Sequence, residues 1–484
     1  MLTTPSRSFR TEAASAGSDA KRTEDRGRRL TVEGVVVAVV TIFGFRVGAR
    51  PIHDNSMFTH LRTGVDMLRT GGIPRVDHYS FTAAGHPWVV QSWLAEWTYA
   101  LANQLGGLRL VVLEQGLLTG LLCFLIARLA RTGSPLRTAA AALIATGAGV
   151  ALWSQRPLLF GFICLALLVT VVERRRSPWL LVPLMWVWVN THGSFVLGAG
   201  FLGAVLIGGL LDRSDRLRDD LRYVVAFVVG LLVSAVNPLG PKLLVFPLSI
   251  QSKASVFSRV VEWRSPDFQR PGELFTLCFL VLAVVMLLRR RTSWTDLLPF
   301  VGLFALGLIA VRNLPAAGVV LAPVLARAFA AERPAGGKVN VVSHAFVALL
   351  VVMASVFAVT AIAPDPIDTS SYPVAAVTYL ENQGLLTGSH RLAHQDLVGN
   401  YLELRYGSRV KVFIDDRVDM FPVPVSDQYR DLSYGTGDPL GVLDRQHIDV
   451  VLWRDDRPLV PLLRVAAAWQ QAYAKGHWVV FTRR

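Results

Sequence analysis

The sequence is poor in charged residues and has very few cysteines. Only 17% of its 484 residues are charged, whereas 52% are apolar, and the apolar residues are grouped in runs. A soluble domain does not group them in this way. The three cysteines, Cys123, Cys164 and Cys278, all lie within apolar runs, which excludes a disulfide framework and a thiolate metal site. The composition therefore predicts an integral membrane protein.

A net charge of +14 raises the question of a nucleic-acid partner. Residues 364–484 carry 13 Lys or Arg against 15 Asp or Glu, so the surplus lies in the short connections between apolar runs. The positive-inside rule places basic connections in the cytoplasm. We therefore expect no nucleic-acid partner. The sequence also lacks a phosphate-binding glycine loop, a Ser-His-Asp elbow and zinc-ligand spacing.

About eleven apolar runs are candidate membrane spans. With the N-terminus in the cytoplasm, every connection on that side contains arginines, and an odd number of spans places the C-terminal region outside. The sequence thus predicts a disordered cytoplasmic tail (1–29), a transmembrane domain (30–363) and an extracytoplasmic α/β domain (364–484). The spans lie near 31–48, 108–127, 138–154, 158–172, 178–191, 194–211, 223–237, 273–288, 295–311, 314–330 and 343–363.

Two outside segments, 49–107 and 237–272, are too long to be simple turns, and function is most often found in such segments. In the first, residues 51–88 are polar with little helical period, whereas 93–105 predict a helix in the membrane interface, beginning at Trp93. In the α/β domain, the patterns predict helices at 375–384 and 459–474 and strands at 411–414, 450–453 and 478–482.

Two carboxylates of the first outside segment are candidates for proton transfer. Asp54 follows the first span beside His53 and Asn55, where it could accept a proton from an incoming hydroxyl group. Capping of the next helix explains the same residue, because Asp and Asn are favoured at helix starts. Asp77, in a turn-like PRVDH sequence, is the second candidate. Asp66 is expected to pair with Arg62 or Arg69 on one helix face.

Arginines at the outer ends of spans call for an explanation, because the topology favours arginine inside. Arg156 follows the third span and Arg312 follows the ninth. A phosphate at the outer headgroup plane would bind both guanidinium groups, although simple snorkelling to lipid phosphate also explains each one. His192, at the turn after Asn190, lies at the same depth, where polar groups face a cavity. Asn190 could equally bond its own helix backbone.

Two further charged groups have competing interpretations. Glu262, in the sequence Glu-Trp-Arg, offers an acid beside an aromatic ring or forms an exposed ion pair. The cluster Asp415, Asp416, Arg417 and Asp419 could hold a hard cation, but the arginine favours a self-satisfied network. No clear motif supports a metal, so we expect no cofactor, and a divalent cation stays open.

The layout resembles the C-type fold of membrane glycosyltransferases, which use polyprenyl-phosphate sugars: a first span, an outside Asp in a long loop, about eleven spans and an extracytoplasmic α/β domain. More narrowly, the chain looks like a widespread group of bacterial multi-span proteins. That likeness covers nearly the whole chain and is carried by motifs at 60–64, 73–82, 88–96, 190–193, 237–240, 262–263 and 413–417.

The resemblance implies that Asp54 is the general base of an inverting sugar transfer to a glycan, lipid or protein acceptor in the cell envelope. It also implies that Arg156, Arg312, His192 and His60 hold the lipid phosphate, and that Asn190, Glu262 and Trp93 line the site. One departure bears on metal dependence: protein O-mannosyltransferases have Asp-Glu after the first span, where this chain has Asp54-Asn55. A non-catalytic envelope-assembly protein and a lipid or solute transporter are the alternatives.

Overall fold

A computed structural model describes residues 31–251, 253–258, 260–290, 292–330 and 344–484. The predicted tail, 1–29, lies outside these residues. Within them the protein is mainly helical, with 65% helix in 19 α-helices and one small sheet. The predicted combination of a large helical region and a C-terminal α/β region is therefore confirmed at this level.

Fourteen helices precede the C-terminal region of the described chain. They are α1 (Val32–Gly48), α2 (Ser56–Thr70), α3 (Trp93–Leu129), α4 (Pro135–Val150), α5 (Leu158–Glu173), α6 (Leu181–Thr191), α7 (Phe195–Leu211), α8 (Leu217–Ser234), α9 (Lys242–Gln251), α10 (Ala254–Phe257), α11 (Pro271–Leu288), α12 (Trp294–Ile309), α13 (Leu314–Ala328) and α14 (His344–Ile362).

Each of the eleven predicted apolar runs coincides with one of these helices, but not each is long and apolar enough to cross a membrane. Among the described residues three are: α3, α11 and the segment Ala345–Ile362 of α14. A helix rises 1.5 Å per residue, so crossing a hydrocarbon layer of roughly 30 Å takes about 20 residues. Of the other helices at predicted spans, all but α8 have 17 residues or fewer, and four of the first six residues of α8 are charged. Membrane character is thus supported by three helices rather than eleven.

Small residues bring α1 close to α3 and so position the chain that follows α1. A Cβ atom added at Gly116 of α3 would lie only 2.7 Å from the Ala49 Cβ. Such close approach of two helix backbones requires glycine at the contact. The end of α1 is thereby fixed against α3, and Asp54 follows five residues after Ala49.

The first outside segment is more helical than its sequence predicts. The pattern at 51–88 indicated little helix, but the structure has α2 there, ending at Gly71 in the left-handed conformation. Helix α3 bends at Gly106 and Gly107, the latter with φ of 65°, so that the predicted helix at 93–105 and the span from 108 are its two halves.

The C-terminal region contains a four-stranded sheet in the order β1-β2-β4-β3. Strands β1 and β2 are parallel, whereas β2–β4 and β4–β3 are antiparallel. Its elements are α15 (Val374–Asn382), β1 (Leu392–His394), α16 (Asp396–Tyr406), α17 (Val423–Tyr434), α18 (Pro439–Arg445), β2 (Val450–Arg454), α19 (Leu459–Val465), β3 (Trp469–Lys475) and β4 (Trp478–Arg483).

Two secondary-structure predictions in this region are wrong. Residues 411–414 do not form a strand of the sheet; Val412 makes only an isolated bridge to Ser80. The predicted helix at 459–474 ends at Val465, and β3 follows, because residues 469–475 pair antiparallel with β4, with an irregularity between Gln471 and Tyr473. The strands predicted at 450–453 and 478–482 and the helix at 375–384 are confirmed.

The C-terminal region packs directly on the first outside segment. Ile52 forms a parallel bridge with Ile367, and Phe81 donates a backbone hydrogen bond of 3.0 Å to Val412. One apolar core includes Ile52 and Phe58 together with Val377 and Leu452. The carboxylates of both segments are therefore brought to the same end of the helix bundle.

Candidate functional site

Asp54 is held by two different kinds of contact. Its Oδ1 accepts the backbone N–H of Ser56 at 3.1 Å, which caps the start of α2. Both of its oxygens also accept from Arg156, Nε to Oδ2 and Nη2 to Oδ1, each at 2.7 Å. Asp54 is only 7% exposed. It therefore makes both the hydrogen bond expected of a helix cap and the ion pair expected of a charged site residue.

Arg156 lies between α4 and α5 and bridges two acids. Besides Asp54 it contacts Glu262 through Nη1. Burial alone would lower the pKa of Arg156, but the charges of Asp54 and Glu262 raise it above its ordinary value. The arginine does not simply snorkel to lipid, because two carboxylates from separate outside segments bind it.

Arg312, between α12 and α13, has a different environment. Its guanidinium carbon lies 4.6 Å from the centroid of the Trp263 ring, and its Nη2 lies 3.5 Å from Nε2 of His192. Among the described residues no carboxylate lies within 4.0 Å of it. Burial lowers the pKa of Arg312 to about 10, and the positive charge of Arg156 adds to that effect.

The hydrogen-bonding state of His192 points to an anion between it and Arg312. Its Nδ1 accepts the backbone N–H of Ser194 at 3.0 Å. Burial and the charge of Arg312 hold the pKa of His192 well below its usual range, so the ring is neutral. In a neutral ring whose Nδ1 accepts, Nε2 carries the hydrogen. Two donors, Nε2–H and the guanidinium, thus face each other, and an anionic oxygen would satisfy both.

His60 of α2 contacts Glu96 of α3, with 2.7 Å between Nδ1 and Oε1. Burial would lower the pKa of His60, but the hydrogen bond to Glu96 and its charge raise it above the ordinary value. The interactions with Glu96 therefore favour the protonated, positively charged form of the His60 ring. That charge acts on both His192 and Asp416.

Asp416 joins the site from the C-terminal region, and the sequence reasoning missed it. Its Oδ2 accepts from the Ser56 hydroxyl, and its Oδ1 accepts from Nδ2 of Asn400 at 2.5 Å. Burial raises the pKa of Asp416 to about 6. The sequence placed it in a dense charge cluster but gave no indication that the cluster faces the residues after α1.

The expected pairing within that cluster is confirmed for Arg417 and Asp415, whereas Asp419 forms no ion pair among the described residues. Arg417 donates from Nε to Asp415 at 2.9 Å, and its Nη2 forms an ion pair with Asp77 at 2.8 Å. Its guanidinium also lies over the rings of Tyr79 and Trp88, at 5.0 and 4.4 Å. Arg417 therefore connects the C-terminal region to the first outside segment inside a buried aromatic cage.

Asp77 is occupied within this network. Its oxygens accept from the backbone N–H groups of Tyr79 and Ser80, at 3.2 and 3.0 Å, and from the Ser80 hydroxyl at 2.6 Å. Together with Arg417 these donors surround a carboxylate that is 2% exposed. These are the contacts of a residue that stabilises a turn. Asp77 is paired with Arg417, whereas Asp54 is paired with Arg156.

Asn190 and Trp93 are in direct contact. The Asn190 side chain donates to the Trp186 carbonyl at 2.7 Å, as the backbone-bonding interpretation predicts, and accepts from Trp93 Nε1 at 2.7 Å. Asp66 pairs with Arg62 at 2.7 Å and Arg69 at 3.4 Å, as expected. The contact of Trp93 with Asn190 connects α3 to α6, whereas the ion pairs of Asp66 lie within α2.

The structure thus gathers most of the predicted site residues at one end of the bundle. We call the following set the ionic cluster: Asp54, His60, Arg156, His192, Glu262, Arg312 and Asp416. Direct contacts connect Asp54, Arg156 and Glu262, and mutual charge effects connect the others to Arg156. Within the described ranges no group of three or more His, Cys, Asp or Glu side chains is arranged to hold a metal ion.

Comparison with known proteins does not assign the chain to a family. No protein-family model matches it, and no curated protein shows significant similarity to it.

Proposed function

We propose that this protein is a membrane glycosyltransferase that moves a sugar from a polyprenyl-phosphate carrier to an acceptor outside the cytoplasmic membrane. The observation that carries the proposal is the apposition of His192 and Arg312, two donors that share no acceptor among the described residues. A phosphate oxygen of the donor would lie between them. The partly buried guanidinium of Arg156 would bind the same phosphate from its other side.

The proposed orientation follows the arginine distribution. Helices that are too short to span alone would cross as a bundle of about eleven, with the N-terminus in the cytoplasm. Asp54, which follows α1, and the C-terminal region then face the extracytoplasmic side. The three helices that are long and apolar enough to cross support a bilayer setting for this arrangement.

In the proposed reaction the acceptor hydroxyl attacks the anomeric carbon as the bond from that carbon to the phosphate oxygen breaks. The configuration inverts, and the hydroxyl proton passes to Asp54. The carrier phosphate leaves with a second negative charge, which Arg156, Arg312 and the Nε2–H of His192 would stabilise. No metal ion is required by this scheme, because the cationic side chains supply the positive charge.

The bidentate contact between Asp54 and Arg156 sets a condition on this mechanism. A carboxylate with both oxygens held by a guanidinium is a poor proton acceptor. Donor phosphate would compete for Arg156 and free an oxygen of Asp54. The base would thus become available only when the donor is bound.

The C-terminal region would help to bind the acceptor. It contacts the first outside segment through Arg417 and places Asp416 beside Ser56. A carboxylate with a pKa of about 6 can accept hydrogen bonds from sugar hydroxyl groups in its ionised form. This role would make the region a part of the site rather than a separate module.

A non-catalytic envelope-assembly protein is the second candidate, and one observation favours it. Arg156 satisfies Asp54 and Glu262 at once, which is also what a purely structural ion network looks like. The two functions differ in what Asp54→Asn should do. A catalytic base is lost in this variant, whereas a structural network retains the contact of Arg156 with Glu262.

The test is a mass-spectrometric comparison of lipid-linked sugars and envelope glycans in cells with and without the protein. Loss of the protein should accumulate one lipid-linked sugar and remove one glycan modification. Asp54→Asn, at equal membrane level, should reproduce both changes, whereas the exposed Asp267→Asn in the segment 237–272 should not. Unchanged sugars in cells lacking the protein would rule out the enzyme. Full complementation by Asp54→Asn would rule out the proposed base.

A further inference from the structure

A cavity lies at the opposite end of the bundle from the ionic cluster. It has a volume of about 300 Å³ and is lined by the ends of α3, α5 and α13. Arg156 lies two residues before the start of α5, whereas Arg174 follows its end. Sixteen helical residues at 1.5 Å each separate the two sites by roughly 24 Å. The cavity is therefore independent of the proposed transfer chemistry.

Four arginines line this cavity, and two of them are already neutralised. Arg131 donates from Nε to Glu33 at 2.9 Å, and Arg327 donates from Nε to Asp296 at 3.0 Å. Arg327 also contacts Glu173. These ion pairs hold the guanidinium groups of Arg131 and Arg327 in fixed positions on the cavity wall.

The other two arginines, Arg128 and Arg174, have no such partner. Among the described residues no carboxylate lies within 4.0 Å of either. Arg174 donates to the main-chain carbonyl of Arg128 at 3.1 Å, which holds its guanidinium against the end of α3. Burial and the like charges of Arg128, Arg131 and Arg176 lower the pKa of Arg174. A bound anion would relieve this repulsion.

Most of the remaining lining residues are apolar. Leu129, Pro323, Ala326 and Ala330 line the cavity beside the arginines, together with the polar Thr132 and with Glu173, whose carboxylate is paired with Arg327. A polar anion with an adjoining hydrocarbon part fits both halves of such a wall. Basic pockets between helices at the cytoplasmic face bind phosphate groups of lipids in this way, and the predicted orientation places the cavity at that face.

We propose that the cavity lined by Arg128, Arg131, Arg174 and Arg327 binds a phosphate-bearing anion through the unpaired guanidinium groups of Arg128 and Arg174. The phosphate can come from the headgroup of an acidic phospholipid or from free phosphate. In either case the oxygens accept from two guanidinium groups that face one cavity. Binding of phosphate at this site would not depend on the ionic cluster.

The test uses the full-length protein in micelles of a neutral detergent, with native mass spectrometry as the readout. Phosphatidylglycerol is added in one arm and inorganic phosphate in the other. The variant is Arg128→Gln with Arg174→Gln. The control is Arg289→Gln with Arg290→Gln, which removes the same charge from exposed residues after α11, outside the cavity.

The wild type and the control should retain one phosphatidylglycerol, and the variant should bind it about tenfold more weakly, as expected for loss of about 1.4 kcal/mol of contact. Retention of inorganic phosphate alone by the wild type, lost in the variant, would also support the site and would identify free phosphate as its ligand. Arg174→Lys, which retains the charge, should recover part of the binding and excludes a folding defect. Equal losses in variant and control, or no binding in either arm, would overturn the proposal.

Discussion

The contact of Arg156 with two acids allows a quantitative prediction about stability. Arg156→Gln leaves Asp54 buried without a cation and removes the partner of Glu262. Loss of one partner of a buried ion pair costs about 3–5 kcal/mol. Asp54→Asn should cost less, about 1–3 kcal/mol, because Arg156 keeps Glu262 and only hydrogen bonds of the carboxylate are lost.

The double variant should therefore cost less than the sum of the two single variants. With Asn at position 54, Arg156→Gln no longer strands a buried charge there, so the expected coupling free energy is about 1.5–3 kcal/mol. Unfolding in mixed micelles at increasing denaturing detergent, followed by tryptophan fluorescence, measures each free energy of unfolding. Unfolding must be shown to be reversible for each variant.

Arg270→Gln provides the matched control. Arg270 lies in the same segment as Glu262 but pairs with Asp267 at 3.4 Å and is half exposed. It should cost about 0–1 kcal/mol and add to Asp54→Asn without coupling. A coupling below about 0.5 kcal/mol for Asp54 and Arg156 would refute the shared buried ion pair on which the site depends.

Two further predictions concern the C-terminal region. Because the pKa of Asp416 is about 6 when folded and near 3.8 when unfolded, its ionisation should destabilise the folded protein as pH rises between these values, by at most about 3 kcal/mol. Asp416→Asn should remove this loss of stability, so the thermal midpoint of the variant should exceed that of the wild type at pH 8 and match it near pH 4. An equal difference in midpoint at both pH values would contradict the raised pKa of Asp416. Arg417→Met should leave Asp77 and Asp415 buried without their cation and cost about 3–5 kcal/mol, measured by the same micelle titration, with the partly exposed Arg454→Met as control. A cost below about 1 kcal/mol would show that the buried network does not hold the two segments together.

The sequence predicted helix positions well because apolar runs leave little choice of secondary structure. All eleven predicted runs coincide with helices, from α1 to α14. Crossing a membrane is a stricter property, and it depends on length as well as composition. Helices such as α6, with 11 residues, cannot span alone, so the number of crossings did not follow from the pattern.

The sequence pattern of the first outside segment did not predict helix α2. Helix α2 carries polar side chains on several faces because the segment packs on α3 and on the C-terminal region at once. Thr59 donates to the buried Glu403 at 2.7 Å, and Gly64 lies against the backbone of α3. Partners so distant in sequence cannot be read from residues 51–88.

The members of the ionic cluster other than Asp416 were candidates from the sequence, but their pairings did not follow from it. Charge at an unfavourable depth identified Arg156 and Arg312 as needing an anion. For Arg156 the structure supplies carboxylates, whereas for Arg312 it supplies a tryptophan ring and a neutral histidine. Asp416 was missed because its neighbour Ser56 is 360 residues away. Contacts of that kind depend on how the C-terminal region packs, which a linear pattern does not contain.

A direct binding measurement tests whether the ionic cluster binds the phosphate of a polyprenyl carrier. The measurement is the affinity of polyprenyl phosphate for the purified protein in neutral micelles, for the wild type, Arg312→Gln and the control Arg270→Gln. Binding of the phosphate by the ionic cluster predicts saturable binding that Arg312→Gln weakens about tenfold, corresponding to about 1.4 kcal/mol, with the control unchanged. Equal binding by the wild type and Arg312→Gln would contradict it.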